Sequence, residues 1–320
     1  MRISLRVLRY VVTTAEAGNV TEAARRLHVS QPSVSAAIAQ IEEQFGVQVF
    51  VRHHARGMTL TSAGQRLVHD ARLLLSHARD FEENTRSLGS ALQGEITVGS
   101  FITLTARFMP GLLTGFALLH PRIQVKMEEG DQQEILDGLL SGRVEIALSY
   151  DYALPDEVLG ETLAILPPHL IVSHTHPLAG RETVSLREVI DEPFILLDLP
   201  HSRDYFARLF ASCGLQPRIA FRSRSFEFIR GLVGRGHGYT ILNVVPRSTS
   251  SYDGSRVAAV PIEDDVTAVG IMRLRLRRHA MRPAVEAFWS YLDRALAAEG
   301  LPAAASIAAR EVDAVPDRLA

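Results

Sequence analysis

Four side chains with amide or hydroxyl groups, Gln31, Ser33, Ser35 and Gln40, fall within ten residues near the start of the chain. Amide and hydroxyl groups donate and accept hydrogen bonds, which is the chemistry that reads the edges of base pairs in the major groove of duplex DNA. The residues between them are mostly small, so a helix that carried them would be slim enough to enter that groove. The group therefore predicts one face of a helix that contacts DNA.

Two apolar stripes at helical spacing place these residues on the second of two short helices. Residues 28–29, between the stripes, leave room only for a tight turn. Ser30 is a good N-cap, and Pro32 fits the first helical turn, where a backbone N–H has no helical partner. The pattern predicts a helix-turn-helix whose second helix runs from Gln31 to Phe45. The stripes are Val20, Ala23, Ala24 and Leu27, then Val34, Ile38, Ile41 and Phe45.

A third helix and a short basic hairpin flank this pair. Residues 4–17 carry apolar side chains at helical spacing and are followed by Gly18, a typical C-cap. Two extended pieces, residues 50–52 and 58–60, predict a hairpin wing. We expect Arg52, His53 and Arg56 of this wing to lie near DNA phosphates, which fix the position of a protein on the duplex without reading its sequence.

Residues 1–65 resemble the LysR-type transcriptional regulators. The resemblance implies an α+β multidomain protein with an N-terminal winged helix-turn-helix, a long linker helix and a C-terminal α/β effector domain of the type II periplasmic-binding-protein fold. With the helix and wing above, it predicts DNA contacts from Ser30, Gln31, Pro32, Ser33, Ser35, Gln40, Arg52, His53 and Arg56. The matching residues are Ala23, Ala24, Leu27, Val29, Ser30, Gln31, Pro32, Ser33, Ser35, Ile38, Ile41, Glu42, Phe45, Gly46, Phe50, Arg52, Leu60, Thr61, Ala63 and Gly64.

Composition agrees with a DNA-binding module joined to a larger body. The chain has 320 residues, 47% of them hydrophobic, which is enough for two or three domains. Its net charge of −2 divides into an excess of about three positive charges before residue 60 and a negative remainder. The lone Cys213 can form no disulfide within the chain and excludes a cysteine-based metal site. Because no signal peptide and no apolar run approaching about 18 residues is evident, we expect a cytoplasmic protein with no membrane contact.

A coiled-coil pattern marks the segment after the wing. Leu67, Leu74, Phe81 and Leu88 recur at strict seven-residue intervals, and Ala71, Ala78 and Thr85 follow the first three of them by four residues. A seam of this kind pairs two helices, so we predict a homodimer through residues 61–89. The alternative, a helix lying along its own chain, stays open for part of its length. The resemblance implies further assembly into a homotetramer through the effector domains.

Strand and helix patterns alternate from residue 95, which is typical of a parallel sheet covered on both faces. Here the resemblance implies an effector domain over residues 95–298, with one subdomain formed by residues 95–163 and 267–298 and the other by residues 164–266, joined by two crossing strands. Residues 299–320 are rich in alanine, show no periodic stripe and are predicted to be a disordered tail. The predicted strands are residues 96–99, 123–128, 144–149, 169–173, 194–197, 219–221 and 239–242; the predicted helices are residues 108–119, 131–140, 202–211, 225–233 and 282–298.

Ligands of open α/β sheets bind beyond the carboxyl ends of the strands, where helix N-termini favour anions. Four loops meet this condition, and they supply hydroxyl groups, arginines and aromatic rings. We therefore expect a small organic effector, anionic and with an apolar body, although each hydroxyl could instead be only a helix cap. The nearby His201, Arg222 and Arg224 could also pair with a carboxylate. The predicted effector-binding residues are Ser100, Phe101, Thr103, Tyr150, Tyr152, Pro200, Ser202, Arg203, Ser225 and Phe226.

Other classes of function have less support in the sequence. No Gly-x-Ser-x-Gly, HExxH or P-loop motif occurs, so we predict no catalytic residue and no cofactor. A metal at His174 and His176 is disfavoured because the resemblance explains this stretch as a turn. A solute-binding protein for transport lacks the expected signal peptide and leaves residues 1–60 unexplained. The prediction is a transcriptional regulator that binds an interrupted inverted repeat in duplex DNA, with RNA polymerase as a candidate partner.

Overall fold

The computed structural model of the protein describes residues 3–53, 57–86, 92–277, 281–299 and 301. The helices are α1 (Leu5–Ala17), α2 (Val20–Leu27), α3 (Gln31–Phe45), α4 (Ser62–Arg86), α5 (Ile102–Leu119), α6 (Gln132–Leu140), α7 (Ser202–Ser212), α8 (Phe226–Gly234) and α9 (Pro283–Ala297). The strands are β1 (Phe50–His53), β2 (Gly57–Leu60), β3 (Gly94–Phe101), β4 (Ile123–Gly130), β5 (Ile146–Tyr150), β6 (Val158–Leu166), β7 (His169–Ser173), β8 (Pro193–Leu197), β9 (Arg218–Ser223), β10 (Thr240–Leu242), β11 (Val257–Pro261) and β12 (Val269–Leu276).

Side-chain caps start the first three helices, among them the predicted cap at Ser30. Ser4, Asn19 and Ser30 each accept a hydrogen bond from the backbone N–H three residues later. Gly18 and Gly46 follow α1 and α3 in the left-handed conformation, which glycine adopts without strain. The three helices bury their apolar stripes in one core, as the helix-turn-helix prediction requires.

The wing is held against this helical core by Glu42 of α3. One carboxylate oxygen of Glu42 accepts the backbone N–H groups of Val49 at 2.8 Å and Phe50 at 3.2 Å. Strands β1 and β2 then pair antiparallel. Gly64 lets α4 begin close by, because a Cβ atom there would lie 2.1 Å from the carbonyl oxygen of Val49. The predicted winged helix-turn-helix is confirmed.

Helix α4 has two differently packed parts. Val68 and Ala71 are buried in the N-terminal core, and Leu67 is partly buried against it. Leu74 and Phe81, by contrast, are 43% and 72% exposed. Ala71 therefore packs within its own chain, which corrects the prediction that it continues the seam. The fourth predicted seam residue, Leu88, lies outside the described residues.

A five-stranded sheet in the order β4-β3-β5-β12-β6 forms the first half of the effector region. Strands β3, β4 and β5 are parallel, whereas β12 is antiparallel to β5 and β6. Helix α9 returns to this sheet through Arg282, whose guanidinium lies 2.7 Å from the buried carboxylate of Glu145. Strand β6 continues to Leu166, so the chain leaves this sheet three residues later than the predicted boundary.

The second half contains strands β7 to β11. Strand β7 pairs antiparallel with β10 and β11, while β8 and β9 pair parallel. A parallel bridge between Phe194 in β8 and Tyr239, the residue before β10, joins the two groups. The alternating pattern indicated parallel pairing, but β10 and β11 run antiparallel to β7. Strands β6, β11 and β12 were not among the strands predicted from residue patterns, although the resemblance implied two crossing strands.

Helix α5 begins six residues before its predicted start. Among the described residues, it is the helix long and apolar enough to span a membrane by length and composition, with a mean hydropathy of 1.4. This corrects the expectation that no such run exists. Its buried Leu104, Met109 and Phe116 belong to the core of the effector region, and core helices commonly have this composition.

The folded chain extends past residue 298, where the tail was predicted to begin. Glu299 forms two ion pairs with arginines, and Leu301 packs against the core of the effector region. Residues 302–320, the rest of the predicted tail, lie outside the described residues. The linker also contacts the effector region, since a guanidinium nitrogen of Arg72 in α4 donates to the carbonyl oxygen of Ser141 at 2.7 Å.

Candidate effector cavity and DNA-binding surface

Helix α3 presents a polar surface away from its core. Gln31, Pro32, Ser33 and Gln40 are exposed, and Ser35 is half-buried. Val34, Ala37, Ile38 and Ile41 are buried on the opposite face. The exposed groups at the N-terminal end can therefore reach a partner without any change in the helix.

Two of the predicted contact residues are engaged with each other. The hydroxyl oxygens of Ser30 and Ser33 lie 2.8 Å apart, and that of Ser30 also accepts the backbone N–H of Ser33. Gln31 stands between them in sequence and carries the larger hydrogen-bonding group. Of the side chains at this end, Gln31 has the greatest reach toward a base edge.

The wing presents its charged residues to solvent. Arg52 and His53 are exposed on β1, and a ring nitrogen of His53 lies 2.8 Å from the Thr59 hydroxyl. Arg56 lies outside the described residues. Two further cations, Arg25 and Arg26 at the end of α2, are bound to Glu22, whose pKa these hydrogen bonds lower to about 2.

A cavity of about 430 Å³ lies between the two halves of the effector region. This volume is in the range of cavities that hold small organic ligands. Residues from β3, α5 and β5 line one side, and residues from α7, α8 and the segment after β10 line the other. A molecule in this space would contact both halves at once.

Aromatic rings packed in edge-to-face and tilted contacts form the apolar wall of the cavity. The ring centroids of Phe101 and Tyr150 are 4.8 Å apart, and those of Tyr150 and Tyr152 are 5.3 Å apart. The hydroxyl oxygens of Tyr150 and Thr103 lie 2.8 Å apart. Burial raises the pKa of Tyr150 and of Tyr152, and it raises the pKa of Tyr205 to about 12. These phenols therefore remain protonated near neutral pH and act as hydrogen-bond donors.

The charged groups that line the cavity are three arginines and two glutamates. Arg230 is buried and lies 2.7 Å from Glu227, while Arg107 and Arg247 both contact Glu299. One positive charge is in excess. Arginine pairs well with carboxylates, so the charge and the rings together suit an anion with an apolar body.

Six of the predicted effector-binding residues line the cavity and four do not. Phe101, Thr103, Tyr150, Tyr152, Ser202 and Phe226 line it. Among the other four, Ser100 is wholly buried in β3, and Ser225 caps α8 by accepting the backbone N–H of Phe228 at 3.2 Å. Pro200 is half-buried beside the start of α7, and Arg203 is paired with Asp198 at 3.2 Å.

The other basic residues considered from the sequence also lie outside the cavity lining. Arg222 lies 3.6 Å from Asp198, Arg224 is paired with Asp131, and His201 lies near Gln133. The lining arginines, Arg107, Arg230 and Arg247, were missed. For Arg107 a signal existed, because it is a lone charge in an apolar helix, but the predicted helix began one residue after it.

Two protein families match the chain in consecutive stretches. Residues 5–65 match the bacterial regulatory helix-turn-helix proteins of the lysR family, and residues 89–297 match the LysR substrate binding domain. The chain belongs to the LysR family of transcriptional regulators. It is a DNA-binding transcriptional regulator with a substrate-binding domain, and regulators of this family bind DNA and small-molecule effectors and form oligomers.

Individual relatives span nearly the whole chain. The HTH-type transcriptional regulator CfxR of Cupriavidus necator is 31% identical over 267 residues, covering 82% of this chain and 83% of that protein. The crystal structure of HinK, a LysR family transcriptional regulator from Pseudomonas aeruginosa, is 39% identical, covers 91% of this chain and 98% of its own, and has a TM-score of 0.61. A full-length OxyR variant from Pseudomonas aeruginosa has a TM-score of 0.73 over 91% of this chain and 95% of its own, but at 23% identity it supports the fold alone.

Within the described residues, no group of three or more His, Cys, Asp or Glu side chains could hold a metal ion. Asn243, which lines the cavity, donates an amide hydrogen bond to the hydroxyl of Tyr205 at 2.9 Å, and that hydroxyl donates to the carbonyl oxygen of Thr267 at 2.9 Å.

Proposed function

We propose that this LysR-family regulator binds a small organic anion with an apolar body in the cavity, and that the anion controls how the protein binds or bends its operator. The observation that carries this proposal is the lining of the cavity. Aromatic rings form its wall, and three arginines face two glutamates. Guanidinium groups pair with carboxylates in two-point hydrogen bonds, which a neutral or cationic ligand cannot form.

The position of the cavity supplies a mechanism. Phe101 and Tyr150 come from the first sheet, and Ser202 and Phe226 come from the second half. A ligand that contacts both halves favours one relative placement of them, and it shifts the equilibrium only by its difference in affinity for the two placements. Arg72 in α4 donates a hydrogen bond to the carbonyl oxygen of Ser141, at the end of α6. A change in the relative placement of the two halves would therefore be transmitted to α4, the linker that carries the DNA-binding domain.

The DNA-binding part of the proposal rests on α3 and α4. Gln31, Ser33 and Ser35 would contact base edges, and Arg52, His53 and Arg56 would contact phosphates. The exposed Leu74 and Phe81 would pair with a second copy and make a homodimer, with a homotetramer formed through the effector domains. A two-fold dimer requires an interrupted inverted repeat in the DNA. We place its action in the cytoplasm, with RNA polymerase as a further partner.

A thermal-shift screen of the full chain tests the ligand class. Aliphatic carboxylates, amino acids and aromatic acids would be compared with their amides at matched ionic strength. A ligand at 100 times its dissociation constant stabilises the folded state by about 2.7 kcal/mol. We expect hits among the acids only, and hits confined to amides or amines would exclude an anionic effector.

Two hydroxyl variants then locate the bound acid. Thr103→Val removes a hydroxyl that lines the cavity, whereas Ser225→Ala removes one that only caps α8. We expect the first change to weaken binding of the acid about tenfold and the second to leave its affinity unchanged. If both variants bind the acid as tightly as the unmodified protein does, the acid binds outside this cavity.

A further inference from the structure

Glu299 extends from the end of α9 into the lining of the cavity. One of its carboxylate oxygens lies 3.0 Å from a guanidinium nitrogen of Arg107 and 2.8 Å from a guanidinium nitrogen of Arg247. The side chain of Glu299 is 27% exposed and that of Arg107 is 17% exposed, so the first pair is mostly shielded from water. The protein thus places a carboxylate of its own between two arginines of the cavity.

These two arginines differ from the third one in the cavity. Arg230 has a fixed set of partners, since it binds Glu227 in the same helix and the carbonyl oxygens of Ser248 and Ser250. For Arg107 and Arg247, the only carboxylate within 4 Å among the described residues is Glu299. An incoming anion would therefore meet Arg107 and Arg247 more readily than Arg230.

Glu299 also joins the two halves of the effector region. Arg107 lies in α5 and Glu299 follows α9, and both helices pack on the first sheet. Arg247 lies in the segment after β10, which belongs to the second half. Leu301, two residues further on, packs on the core and holds the chain end near the cavity. Any group that takes the place of Glu299 would change a contact between the halves.

We propose that Glu299 is an internal competitor of the effector, and that the carboxylate of a bound acid replaces it between Arg107 and Arg247. This inference rests on the proposed function of the cavity. The exchange is balanced in charge, because one carboxylate leaves the two guanidinium groups as another arrives and neither arginine is left unpaired. The acid would also bury its apolar body against the aromatic wall. A neutral ligand cannot make this exchange.

Chemical rescue by acetate provides the test. Glu299→Ala removes the carboxylate and leaves space beside the two arginines, which free acetate can fill. The melting temperatures of the unmodified protein and the variant would be measured in 100 mM sodium acetate, 100 mM sodium chloride and 100 mM acetamide with sodium chloride. Glu286→Ala is the matched control, since Glu286 is an exposed glutamate of α9 that does not line the cavity.

We expect acetate to raise the melting temperature of Glu299→Ala by about 2–4 °C over chloride. The unmodified protein and Glu286→Ala should show no such difference, and acetamide should have no effect. Equal responses of all three proteins would overturn the proposal. If Glu299→Ala does not fold, Glu299→Ser takes its place, because its short side chain also removes the charge and leaves space for acetate beside the two arginines; the same acetate-specific shift supports the proposal and its absence overturns it.

The result is separable from the outcome of the ligand screen. An acid found in that screen should bind Glu299→Gln several-fold more tightly than the unmodified protein, because the internal competitor has been weakened. If Glu299→Gln binds the acid with unchanged affinity while Thr103→Val still weakens binding of the acid, the cavity binds an anion but Glu299 does not compete with it. A third outcome is that acetate rescues Glu299→Ala while Thr103→Val weakens the binding of no acid. In that case Glu299 fills a carboxylate site, but the proposed effector function fails.

Discussion

The guanidinium of Arg224 lies 2.8 Å from the carboxylate of Asp131, and this ion pair joins the two halves of the effector region. Asp131 is 5% exposed and caps α6 by accepting the backbone N–H of Glu134, so its position is fixed. Arg224 precedes α8, and its side chain is 65% exposed. The pair therefore favours the arrangement in which α6 and the start of α8 lie close together.

Replacing Arg224 should weaken effector binding with little loss of stability. Arg224 is largely exposed and Asp131 keeps the hydrogen bond from the Glu134 N–H, so we expect the pair to contribute about 1 kcal/mol and Arg224→Gln to lower the melting temperature by no more than about 4 °C. The affinity for an acid from the screen should fall a few-fold, because the apparent affinity scales with the population of the binding-competent arrangement. Isothermal titration calorimetry measures this change.

Arg203→Gln is the control for this prediction. Arg203 pairs with Asp198 at 3.2 Å, but both residues lie in the second half. Its loss should leave the affinity for the acid unchanged. Equal losses in the two variants would mean that the ion pair between the halves has no special role.

Gln31 should determine sequence preference. Gln31→Ala removes an exposed amide at the start of α3. It should reduce the free energy of binding to an operator, recovered by selection from random DNA, by about 1–3 kcal/mol. Binding to unrelated duplexes should change much less. Fluorescence anisotropy titrations on both DNAs measure the difference, and equal losses on both would remove Gln31 from the base contacts.

Arg52 should behave differently, because a phosphate contact carries no sequence information. Arg52→Ala should lower the affinity for the operator and for an unrelated duplex by the same factor. It should also reduce the slope of log affinity against log salt concentration by about one. An unchanged slope would show that Arg52 makes no phosphate contact.

The sequence was most informative where local rules decide the structure. The C-cap at Gly18, the N-cap at Ser30 and the stripes of α1 to α3 depend on residues close in the chain, and these predictions were confirmed. Strand β12 was missed because it pairs with β5 and β6, more than 100 residues earlier, and its Arg273 and Arg275 obscure the apolar pattern. Long-range pairing of this kind has little local signal.

The candidate site shows the same limit. Aromatic residues at the carboxyl ends of strands, such as Phe101 and Tyr150, line the cavity, close to where the sequence rule expects a ligand. Arg247 and Glu299 lie in irregular segments that the tertiary fold brings to the cavity, and no sequence rule placed them there. Arg203 and Arg224 looked equally suitable in sequence, yet nearby carboxylates draw both into other pairs.

Arg230 should stabilise the fold rather than select the ligand. Its side chain is 5% exposed and binds Glu227 and two backbone carbonyl oxygens. Removing one partner of a buried pair costs about 3–5 kcal/mol, so Arg230→Met should be strongly destabilised in urea unfolding. Arg247→Met, whose side chain is 72% exposed, should lose about 1 kcal/mol or less. Similar losses in the two variants would contradict this assignment.

Leu74 should hold the dimer together. Helix α4 has 25 residues and is about 38 Å long, and its first half packs on its own N-terminal core while Leu74 and Phe81 stay exposed. Leu74→Arg places a charge in the proposed contact between two copies, where it would be desolvated without a partner. We expect monomers in sedimentation velocity and a large loss of operator affinity.

Gln65→Arg is the matched control, since Gln65 is exposed on the same helix and, nine residues earlier, points to the opposite side. It should sediment like the unmodified protein and bind the operator normally. Because a dimer places two copies of α3 on one face of the DNA, the monomeric Leu74→Arg protein should protect a single half-site in footprinting. If Leu74→Arg remains dimeric and protects both half-sites, the contact between copies lies elsewhere on the chain.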